Sequence, residues 1–109
     1  MGVDVLLMAV RQRGTSPKGR QVRPVEVLLD PGDRFAGLCT SSRRPTLSRV
    51  HPWKSLILTR ADMPQFISEV EAELAEAGDR EVKDLLRRVL GLARECAAHE
   101  TYELHLDGD

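Results

Sequence analysis

Val3 to Val10 reads Val-Asp-Val-Leu-Leu-Met-Ala-Val, apolar at every position except Asp4. A run of that length, rich in β-branched and long aliphatic side chains, suits a central strand covered on both faces. A second run, Val22 to Leu29, carries Val25, Val27 and Leu29 on one face and turns Glu26 to the other, which is the two-residue period of the next strand. Between them, Arg11 to Arg20 holds Gly14, Pro17 and Gly19 among polar residues and breaks both periodicities, so a hairpin with a long tip is expected. Asp30-Pro31-Gly32-Asp33 sets proline and glycine at the two central positions of a type II turn, and Arg34 to Cys39 is then expected as a third strand.

From Thr40 to Lys54 there is no periodicity, only two prolines and a high density of serine and arginine, which describes a loop of unusual length. Ser55 to Thr59 is a short apolar strand. Asp62-Met63-Pro64-Gln65 follows with a capping aspartate, a first-turn proline and a glutamine that completes a capping box. The helix from about Met63 to Ala77 places Ile67, Val70 and Leu74 on one stripe, with Phe66 beside it. Gly78 ends it and Asp79 caps a second helix, Arg80 to His99, whose Val82, Leu85, Leu86, Val89, Ala93 and Cys96 recur at the spacing of a wide buried stripe. Thr101 to Leu106 alternates as a closing strand, with Tyr102, Leu104 and Leu106 inward and Glu103 and His105 outward. The predicted class is α+β: a mainly antiparallel sheet of four or five strands with an antiparallel helical hairpin packed on one face, one domain over residues 1–109.

Composition leaves that picture unchanged, since 41% hydrophobic and 30% charged residues are ordinary for a folded chain of this length. Val5 to Val10, the longest apolar run, is about a third of a membrane span. No export signal is read from the start of the chain, and a cytoplasmic protein with no membrane contact is expected. Cys39 and Cys96 are then most simply reduced and buried.

Charge does change the picture. Through Arg60 there are eleven basic residues against four acids, a balance of +7; from Ala61 there are five against thirteen, a balance of −8, and the two recover the net −1. An asymmetry of this kind produces a dipole that steers charged partners. On the basic side, Arg11, Arg13, Lys18, Arg20 and Arg23 belong to the first hairpin. Arg43, Arg44 and Arg49 occupy the long loop with Trp53. The functional reading joins the two loops into a single-strand or RNA contact surface, with arginines on phosphates and the tryptophan on a base. The plainer reading is that basic loops balance acidic helices inside one molecule and that Trp53, next to an apolar strand, anchors the core or its rim. On the acidic side, Glu69, Glu73, Glu76 and Glu103 are the candidate residues for meeting a basic protein surface, against the plainer reading of acidic helices as solvated ones.

Chemistry-bearing motifs are weak. Cys96 and His99 have half of a metal-site spacing and no second pair. Cys39 with His51 or His105 is the one nucleophile and base pairing on offer, and no spacing supports it. Asp30 and Asp33 are explained by the turn they flank. No catalytic residue, metal site or cofactor is therefore expected. The expected function is that of a small non-enzymatic protein-interaction module, of the inhibitor or immunity-partner type, with another protein as its partner. A nucleic-acid-binding accessory protein using loops 11–23 and 43–54 is the alternative, and a homodimeric structural protein the second alternative.

Overall fold

The computed structural model, which describes residues 2–12 and 20–108, has four strands and three helices among them. In chain order they are β1 (Val3–Gln12), β2 (Arg20–Leu28), α1 (Arg34–Ser41), β3 (Ser55–Thr59), α2 (Met63–Glu76), α3 (Arg80–Ala98) and β4 (Tyr102–Gly108). The sheet is wholly antiparallel with the order β2-β1-β4-β3, so the last strand inserts between the first and the third. The fold is α+β, as the pattern predicted.

Alternation decides what each face of the sheet carries. Val3, Val5 and Leu7 of β1, Leu58 of β3 and Leu104 and Leu106 of β4 point to one side and are fully buried. There they join Phe66 and Val70 of α2 and Leu86, Val89 and Cys96 of α3 in one cluster. The α2 and α3 helices pack on each other, and α3 touches β1, β4 and β2. Asp79 caps α3 as expected, accepting from the Glu81 N–H at 2.8 Å. The capping box predicted for α2 forms one turn earlier. A single 3₁₀ turn, Arg60–Asp62, precedes the helix, and Asp62 reaches back to accept from the Thr59 N–H at 2.9 Å.

Arg34 to Cys39 is helical and not a strand. The Asp30 carboxylate accepts from the N–H groups of Phe35 at 2.8 Å and Ala36 at 2.9 Å, satisfying first-turn donors that a helix otherwise leaves open. The same carboxylate accepts from the Val3 N–H at 2.9 Å, and the Asp30 N–H donates to Asp4 at 3.0 Å, so the start of α1 is tied to β1. Gly32 takes the positive φ that the turn required, but Asp33 follows it at φ 56° and the chain coils onward.

The long segment after α1 is ordered. Leu47 and Val50 are buried around a short 3₁₀ turn, Leu47–Arg49, and the segment 51–54 runs against the end of β4. There Gly108 donates to the Lys54 carbonyl at 3.0 Å and approaches Pro52 so closely that no Cβ would fit. Trp53 is 61% exposed, which corrects its reading as a core anchor. Both cysteines are free and buried.

Candidate protein interface

Leu6, Met8 and Val10 of β1 point away from the helices. Register places Val27, Pro24 and Val22 of β2 beside them, and His105 and Glu103 of β4 on the other flank, with Ile57 of β3 opposite His105. The result is a sheet face whose middle is apolar and on which no element packs among the described residues. Val27 is 49% and Ile57 46% exposed, high values for branched aliphatic residues in strands. This overturns two expectations. The strand expected to be covered on both faces is covered on one. Val25, Val27 and Leu29, expected on one face of β2, do not form a buried stripe: all three are exposed, and Leu28 packs on the core instead. A bulge opposite Leu7 and Met8 accounts for the disturbed period, because β2 passes from Glu26 to Pro24 over one step of β1.

The polar residues of this face are ordered along the strands. Asp4 and Asp107 face each other at one end, and the Asp107 Oδ1 atom is buried without a hydrogen-bond donor among the described residues. Arg20 stands at the other end, opposite Gln12, and pairs with Glu103. His105 Nε2 lies 3.0 Å from the other oxygen of that carboxylate. Burial raises the Glu103 carboxyl, but the hydrogen bonds and charges of His105 and Arg20 outweigh it and hold the group below the usual carboxylate range.

The acidic candidates are not one surface. Glu103 belongs to the open sheet face, whereas Glu69, Glu73 and Glu76 are on α2. Glu69 is 4% exposed and works inside the molecule: its carboxylate accepts from the N–H groups of Thr46 at 2.9 Å and Leu47 at 2.9 Å and from Gln65 Nε2 at 2.7 Å. Burial pushes that carboxyl up, and the hydrogen bonds from Leu47, Gln65 and Thr46 together bring it below its ordinary value. Arg44 bridges Glu73 at 3.4 Å and Glu76 at 3.0 Å. Two of the three helical acids are thus occupied with a basic residue of the loop, and the third holds the loop's backbone.

The basic candidates are not one surface either. The segment with Trp53 meets Gly108, which pairs with Val3, while the hairpin arm leaves the sheet at Gln12 and Arg20, nine positions further along β1. At ~3.3 Å per residue, that separates the two by about 30 Å. Arg13 and Lys18 lie outside the described residues. Arg20 and Arg44 are paired with glutamates, whereas Arg11, Arg23, Arg43 and Arg49 make no ion pair among the described residues.

No protein-family model, curated protein or solved structure matches this chain. The site therefore rests on its own chemistry. Burial, followed by the nearby charges of Asp30 and Glu73, drives the Cys39 thiol far above its ordinary range, and burial with Glu103 and Asp62 pushes Cys96 up to about 11. Burial thus favours the neutral thiol at both sulfurs over the thiolate that a cysteine nucleophile uses. Among the described residues no helix is long and apolar enough to cross a membrane. The open sheet face was missed in the sequence although its signal was present: an apolar strand with helices predicted on one side only leaves its second face without a cover.

Proposed function

We propose that this protein is a protein-interaction module whose docking surface is the open face of its sheet, in place of the acidic face of α2. The observation that carries this reading is the uncovered apolar centre formed by Leu6, Met8, Val22, Val27 and Ile57. An apolar strip across β1 and β2, with Ile57 beyond His105 and polar groups around it, is the kind of surface that protein interfaces bury. The test compares proteins retained from native cell extract by the tagged wild-type chain and by a Val27→Glu, Ile57→Glu double variant with an unchanged thermal melt. Proteins held by the wild type are expected to be lost from the variant. Equal retention by both chains sinks the reading, and loss caused only by Glu73→Lys with Glu76→Lys returns the surface to α2.

A second reading, contact with nucleic acid, is supported by one observation. Arg11 and Arg23 stand two ladder steps apart on the hairpin arm, opposite Gln21 and Ala9, and make no ion pair among the described residues. Reversing both charges is expected to abolish an oligonucleotide affinity that falls steeply with added salt. An affinity indifferent to salt and to both reversals removes this reading.

A further inference from the structure

We infer that the occupant of the open sheet face is a second copy of this chain, packed face to face about a two-fold axis that lies between the sheets and runs across the strands. The inference rests on the reading of that face as a docking surface and names its partner. Three observations lead to it. The first is extent: the strands hold 10, 9, 5 and 7 residues. At ~3.3 Å per residue and ~4.8 Å between strands, the face outlines about 500 Å² per copy, so a pair buries about 1,000 Å² or more once side-chain relief is included, the lower bound for a stable interface.

The second observation is the distribution of charge. Along the strands the face runs from acid, at Asp4 and Asp107, through a middle that is apolar on β1 and β2 and carries the His105 and Glu103 pair on β4, to Arg20, which reaches Glu103 and keeps its side chain 37% exposed. A two-fold axis across the strands reverses their direction, so the acidic end of each copy lies over the basic end of the other while Leu6, Met8 and Val10 meet their counterparts. A two-fold axis along the strands would set acid on acid. The face is self-complementary under only one of these operators, and that one gives an isologous interface closed at two subunits. The third observation is the Asp4 and Asp107 pair itself, two carboxylates side by side at one end of the face. The arginine end of a second copy brings them a counter-charge.

The product is a sandwich of two four-stranded sheets about 10 Å apart. The experiment is sedimentation equilibrium at 1–200 μM, with masses read against the 12.2 kDa chain. The wild type is expected to reach twice that mass in this range, and Val27→Glu with Ile57→Glu is expected to stay at the monomer mass with an unchanged melt. The charge layout adds a sharper test. Arg20→Glu alone and Asp107→Lys alone each set like charges together and weaken the dimer tenfold or more, but an equimolar mixture of the two variants regains opposite charges at both ends and recovers the dimer mass.

A wild-type chain that is monomeric throughout overturns the inference. If the Val27→Glu, Ile57→Glu variant then still loses a different retained protein, the docking surface survives with another occupant. If it loses nothing, both fall. A dimer indifferent to the sheet-face variants, or a mixture no better than its components, overturns the proposed geometry.

Discussion

Two carboxylates, one half-buried and one buried, hold the parts of this molecule that have least secondary structure. Asp30 satisfies three backbone donors from β1 and α1, and Glu69 satisfies those of Thr46 and Leu47. Removing a charged acceptor strands its donors, at about 1.5–3 kcal/mol per hydrogen bond to a charged group before relaxation. Asp30→Ala is therefore expected to lose about 3 kcal/mol in urea unfolding, and Asp30→Asn, which keeps one acceptor oxygen, less than half of that. For Glu69 the folded state favours the ionised form. A carboxyl depressed in this way contributes stability that is fully present above its ordinary value of 4.5 and is lost as pH falls through the lower folded value. Urea midpoints between pH 6 and pH 3 should fall less steeply for Glu69→Gln than for the wild type. An identical slope would mean that Glu69 has no share in acid unfolding.

At the scale of elements, α3 and the strands β1, β4 and β3 contribute most of the core, and β2 contributes little beyond Leu28. Leu86, fully buried on α3, is expected to cost about 3 kcal/mol when truncated to alanine, through lost transfer energy and the cavity left behind. Leu29, 68% exposed just beyond β2, is expected to change stability by less than about 0.5 kcal/mol when replaced by serine. Denaturant titration of both variants checks the contrast. β2 is also an edge strand, and it carries two features that discourage pairing with foreign strands: Pro24, which has no N–H, and the bulge beside it. This favours burial of its flat face over extension of its edge.

For the molecule as a whole, much of the charge asymmetry is cancelled on folding. Arg20, Arg34, Arg44 and Arg60 of the basic half pair with Glu103, Glu81, Glu73 and Glu76, and Glu100 of the acidic half. Pairs with this much exposure are worth about 0.2–1 kcal/mol each and are screened by salt. Raising sodium chloride from 0.05 to 1 M is therefore expected to lower the unfolding free energy by only about 1–2 kcal/mol. A larger loss, followed by urea titration at both salts, would show that the pairs act as a network.

Read without its structure, the chain determined every element whose signal is local and periodic. β3, α2, α3 and β4 fall within two residues of expectation, because a hydrophobic period of 2 or 3.6 is stated by the residues themselves. α1 was legible but misread: Phe35, Ala36 and Cys39 have helical spacing, yet the deciding interaction is the reach of Asp30 to Phe35, Ala36 and Val3. The roles of Glu69 and Arg44 were not legible, since a carboxylate that faces solvent and one that takes two backbone donors from a segment 23 residues away look alike in sequence. Only the tertiary structure decided that β4 lies between β1 and β3, that the two basic loops stand at opposite ends of the sheet, and that Val27 and Ile57 share an open face with Leu6. Strand order and facing are set by long-range pairing and by the one-residue shift at the bulge, and neither is encoded in any local window of the chain.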